Sequence, residues 1–120
     1  MSRFYFFLWL SWLITISFLL LMPGKHLTGA DLQIPHLDKY LHFVMFAMLS
    51  FLFLLFRKSK VDSIENKEKF AIILLFSAFG IMTEFVQEFF IEGRYFDIWD
   101  VVANALGTIA GAMLLFCIKK

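Results

Sequence analysis

Four long apolar runs decide what this chain can fold into. Phe4–Met22 holds nineteen residues without a charge and stops at Pro23-Gly24. A helix of that length rises about 28 Å, close to the thickness of a bilayer's hydrocarbon core. Three further runs follow at about 40–56, 70–91 and 98–118; the second ends at Arg57-Lys58 and the last at Lys119-Lys120. A backbone in lipid must satisfy its own hydrogen bonds, so each run is expected to be helical. The pattern predicts an all-α, integral membrane four-helix bundle that uses residues 1–120 as a single domain. Composition points the same way: 61% of residues are hydrophobic, against roughly 45–50% in ordinary soluble domains. Seventeen phenylalanines are hard to bury in so small a soluble core, whereas lipid-facing helices can display them.

The first run exceeds the apolar core of a signal peptide, and no A-x-A-like site follows it, so it is expected to remain as a span. The lone cysteine, Cys117, excludes an internal disulfide and a cysteine-based metal cluster, and reads as a small apolar filler. Placement of lysine and arginine sets an expected orientation. Arg3, Arg57, Lys58, Lys60, Lys67, Lys69, Lys119 and Lys120 fall on one side, and only Lys25, Lys39 and Arg94 on the other. Both termini and the charged stretch RKSKVDSIENKEK, read as a soluble connecting loop, are therefore expected in the cytoplasm. The loop containing His26 and His36 and the bend at Glu92–Asp97 are expected to face outward, with both histidines solvated.

Against this apolar background, TEFVQEFFIEGRYFDIWDVVANALG at 83–107 concentrates polar groups. Glu84 lies about 21 Å along the third span, and Asn104 about 9 Å along the fourth, which runs the opposite way, so the two are expected at similar depth. Glu84, Gln87 and Glu88 are spaced to share a helix face. Asp97, Asp100, Asn104, Gly107 and Gly111 form one stripe down the fourth span, and Asp38 and His42 share a face of the second, beside Lys39. Gly107-x-x-x-Gly111 and Gly80 permit close helix packing. These spacings suggest a tight antiparallel pairing of spans three and four, with their polar stripes facing each other and span two. Below Asn104 and Glu84 the stripe is expected to become glycine and apolar. Phe85, Phe89, Phe90, Tyr95, Phe96 and Trp99 read as an interfacial aromatic belt.

Three blocks carry a family resemblance: DKYLHF at 38–43, EFVQE at 84–88 and RYFDIWDVVANALGTIAG at 94–111. In order and spacing the chain resembles the VanZ-like membrane proteins, through Asp38, Lys39, His42, Glu84, Gln87, Arg94, Asp97, Asp100, Asn104, Gly107 and Gly111. The resemblance implies a short four-span bundle in a bacterial inner membrane. It also implies a role at the cell envelope, because the namesake is associated with low-level resistance to the glycopeptide teicoplanin.

Ionisable groups inside a membrane usually face the bundle interior, pair up and mark a functional site. The candidate ligand-binding residues are Asp38, Lys39, His42, Glu84, Gln87, Arg94, Asp97, Asp100 and Asn104. Lys39 and Arg94 would meet phosphate or carboxylate, and the carboxylates would orient Arg94 or transfer protons. The expected partner is a membrane lipid or a lipid-linked cell-wall precursor. No nucleic-acid partner and no cofactor are called for, and the sequence sets no oligomeric state. A metal is not expected from a single histidine without a tight ligand motif; His42, Glu84, Asp97 and Asp100 are the set that would hold one. Two alternatives stand beside binding. One is an enzyme using acid–base or metal-assisted chemistry on a lipid-linked substrate, although no serine or threonine sits in a nucleophile setting. The other is a structural or assembly protein whose polar cluster only locks the helices.

Overall fold

The computed structural model describes residues 2–21, 37–61, 64–90 and 96–118. Four helices account for nearly all of them: α1 (Ser2–Leu20), α2 (Leu37–Lys60), α3 (Asn66–Phe90) and α4 (Ile98–Ile118). No strand occurs among the described residues. Each helix is long and apolar enough to cross a membrane.

Two helices run beyond their apolar runs. Most of the charged connector is helical, with Arg57–Lys60 in the last turn of α2 and 66–69 in the first turn of α3. This corrects the reading of RKSKVDSIENKEK as a loop. Cations in a last turn and an acid in a first turn complement the helix dipoles. Arg57 Nε also donates to Glu68 Oε2, tying the two helix ends together. Lys60 sits over the Phe56 ring, 5.6 Å from its centroid, so its charge lies at the helix end while its stem covers apolar surface.

The most extensive pairing is between α2 and α4, ahead of α1 with α2 and α3 with α4. The expected α3–α4 hairpin is therefore present but is not the tightest contact. Glycine explains the difference. Gly107 lies against the Phe43 carbonyl and Gly111 against the Ala47 carbonyl, and a Cβ at either position would collide with that backbone. Phe43 to Ala47 and Gly107 to Gly111 advance together, so α2 and α4 run parallel. Apolar side chains gain little by leaving lipid for a neighbouring helix, and close backbone approach is what favours such a contact.

Away from the glycine seam the bundle is filled by large side chains. Ile16, Leu20, Phe46, Leu49, Leu54, Ile72, Phe76 and Leu115 form one buried cluster. Trp9 of α1 packs on Phe53 of α2 at 5.1 Å, and Phe53 meets Phe76 of α3 edge-on at 5.5 Å. Trp12 donates its indole N–H to the Met45 carbonyl at 2.9 Å, fixing α1 on α2. The outer faces display Phe4, Phe7, Phe18, Phe70, Leu75, Phe89 and Met113. A soluble protein would pay heavily for that surface, whereas a bilayer solvates it.

Candidate functional site

Lys39 and His42 occupy the first turns of α2, Asp100 and Asn104 the first turns of α4, and Glu84 and Gln87 the last turns of α3. The parallel α2–α4 pair and the antiparallel α3 thus bring three polar segments to one end of the bundle. His42, Glu84, Gln87, Asp100 and Asn104 are all buried there. The matched depth expected for Glu84 and Asn104 follows from this packing. Gly80, one turn before Glu84, lies so close to Asn104 that an added Cβ would meet its side chain at 2.9 Å.

Asp97 is the hinge of the site. It precedes α4 and caps it, with Oδ1 accepting the Trp99 N–H at 2.9 Å. Its Oδ2 accepts from Lys39 Nζ at 2.6 Å, and its own backbone N–H donates to Glu84 Oε1 at 3.2 Å. One residue therefore joins α2, α3 and α4. The Lys39 ammonium holds the Asp97 carboxyl below its ordinary range, opposed by burial and assisted by the Trp99 N–H.

Lys39 also reaches Asp100 Oδ1 at 2.9 Å. Two carboxylates, Asp97 and Asp100, therefore engage Lys39. His42 continues the chain inward. Its Nε2 lies 3.5 Å from Asp100 Oδ2, and its Nδ1 lies 2.9 Å from Asn104 Oδ1. An amide oxygen only accepts, so with this amide orientation Nδ1 carries the proton.

Several placements depart from the sequence expectation. Gln87 turns toward α1 and donates to the Leu20 carbonyl, so it anchors a helix outside the cluster. Glu88 is exposed and accepts the Phe96 N–H at 2.9 Å, bracing the α3–α4 bend. Of the four residues named for a metal, His42, Glu84 and Asp100 place ligand atoms within 4.8 Å of one another; Asp97 is not in that group. The side chain of Asp38, and the whole of Arg94, His26 and His36, lie outside the described residues.

Sequence reading also missed two hydroxyls. Thr108 Oγ1 donates to the Asn104 carbonyl at 2.8 Å, and Ser50 Oγ donates to the Thr108 carbonyl at 2.8 Å. The stripe below Asn104 is thus not purely glycine and apolar. Thr108 lies four residues after Asn104, and Ser50 is a hydroxyl within an apolar run; both positions were visible signals. Phe85, Phe89 and Phe96 cluster at the same end of the bundle, with Phe85 stacked on Phe89 at 6.3 Å and 4.8 Å from Phe96.

Comparison with curated proteins finds no match, and comparison with solved structures finds none either. A model of one family, described as VanZ/LLP1, matches residues 3–119. The match takes in all four apolar helices and every polar residue of the cluster. The chain therefore belongs to the VanZ/LLP1 family and is a multi-pass membrane protein of that family.

Proposed function

We propose that the Lys39–Asp97 end of the bundle receives the phosphate- or carboxylate-bearing headgroup of a lipid-linked component of the cell envelope. One observation carries this reading: the polar groups form a graded path from the bundle end inward. Side-chain exposure falls from 36% at Asp97 and 21% at Lys39 to 11% at Asp100 and 3% at His42. Asn104, the next partner beyond His42, is fully buried. A lock between helices needs no such gradient, and ionisable groups within a membrane usually mark a functional site. An arriving anion would take the place of one carboxylate on Lys39. Arg94, three residues before Asp97 in the sequence, is the second candidate cation.

The excess of lysine and arginine at the opposite end supports an orientation with both termini in the cytoplasm and the site at the outer leaflet of the cell membrane. Membership of the VanZ/LLP1 family adds to this reading the envelope role that the resemblance to the namesake implies. The test is glycopeptide tolerance of a bacterial host producing the wild type or Glu84→Gln, compared at matched membrane levels. Loss of tolerance in a variant present at the wild-type level is the expected result. Tolerance that merely follows protein level would reduce the cluster to a structural role.

A second reading, an enzyme acting on the same class of substrate, is favoured by the convergence of His42, Glu84 and Asp100.

A further inference from the structure

We infer that His42, Glu84 and Asp100 form a binding site for a divalent transition-metal cation. Sequence reading pointed away from a metal, since one histidine and scattered acids make no ligand motif. The fold supplies what spacing lacked, because α2, α3 and α4 each contribute one donor, all three buried. One imidazole and two carboxylates suit ions such as Zn2+, Mn2+ or Co2+.

Two independent features of the geometry point to a ligand. The first is separation. Donors bound at about 2.1 Å around a tetrahedral ion stand about 3.4 Å apart. His42 Nε2 and Asp100 Oδ2 are already 3.5 Å apart, and Glu84 falls within the 4.8 Å group. Small side-chain rotations complete the convergence. The second is the outer layer of partners. A histidine that binds a metal nearly always donates its other ring N–H to an acceptor, which fixes the tautomer and aims the bare nitrogen. Asn104 Oδ1 accepts at Nδ1, and Nε2 is turned toward the Asp100 carboxylate. The carboxylates are oriented in the same manner, Asp100 through Oδ1 by Lys39 and Glu84 through Oε1 by the Asp97 N–H.

This inference does not rest on the headgroup reading. A bound cation would offer a phosphate a second positive contact beside Lys39, yet the ion could bind with no lipid present.

The experiment uses the full chain purified in detergent and stripped with EDTA. Co2+ titration should give one saturable ligand-field band, displaced by Zn2+. Affinity should fall about tenfold or more in His42→Gln and in Glu84→Gln, and stay near wild type in Glu65→Gln, an exposed acid at the opposite end of the bundle. A second readout needs no variant. In protein labelled with 15N-histidine, Zn2+ should shift one ring nitrogen, Nε2 of His42, while Nδ1 keeps its proton. No saturable band and no histidine shift would overturn the inference. So would equal loss of affinity in all three variants, which indicates diffuse attraction to acidic groups. Failure of headgroup binding with Co2+ binding intact would overturn only the headgroup reading.

Discussion

His42 Nδ1 and Asn104 Oδ1 meet at 2.9 Å between two parallel helices, both fully enclosed by the bundle. Interhelical hydrogen bonds in membranes contribute about 0.6–2 kcal/mol. We predict that Asn104→Ala destabilises the folded protein by about that amount, because it also strands the His42 ring N–H. Thermal unfolding in detergent measures it, and an unchanged midpoint would count against the bond.

Gly107 and Gly111 permit the backbone contact on which the site depends. We predict that Gly107→Ala forces α2 and α4 apart and costs about 1–3 kcal/mol or more, as overpacked cores do. Gly80→Ala should be milder, since the atom it meets belongs to the Asn104 side chain rather than to backbone. Unfolding curves of the two variants in one detergent would settle the order, and the reverse order would argue against the α2–α4 seam.

Lys39 and Asp97 form a partly exposed pair, so solvent screening limits what their attraction can contribute. We predict that Lys39→Met and Asp97→Asn each destabilise, and that the double variant loses less than the sum of the two. A coupling of about 0.5–2 kcal/mol is expected for groups in one network. Strict additivity in the double-mutant cycle would show that the pair has no energetic role.

The charge bias predicts orientation. With Cys117 replaced by serine, Ser59→Cys near the α2 end should react with an impermeant thiol reagent only after cells are opened. Labelling in intact cells would invert the proposed topology and move the polar site to the cytoplasmic leaflet.

Periodicity made the four helices legible, together with the α4 stripe through Asp100, Asn104 and Gly107. Helix rise also made the shared depth of Glu84 and Asn104 legible. The partner of the glycine stripe was not, because a small-residue face says that some backbone comes close without saying which. Sequence adjacency favoured α3, and the Phe43 and Ala47 carbonyls of α2 occupy the place instead. The α1 partner of Gln87 was not legible for a related reason. Gln87 lies three residues after Glu84 and shares a broad face with it, but that angular offset suffices to aim it at Leu20 of α1. The charged helix ends were read as loop because apolarity marks where lipid ends, not where hydrogen bonding ends. Dipole complementarity carries α2 and α3 past that edge.

Lipid selectivity of the purified protein reports directly on headgroup binding at Lys39. Wild-type protein and Lys39→Met would be offered a polyprenyl phosphate and an uncharged diacylglycerol in equal amounts, and the retained lipid read by native mass spectrometry. The wild type should retain the phosphate-bearing lipid about tenfold better, a preference of about 1.4 kcal/mol, and Lys39→Met should lose that preference. Equal retention of the two lipids by well-folded wild-type protein would contradict headgroup binding at Lys39.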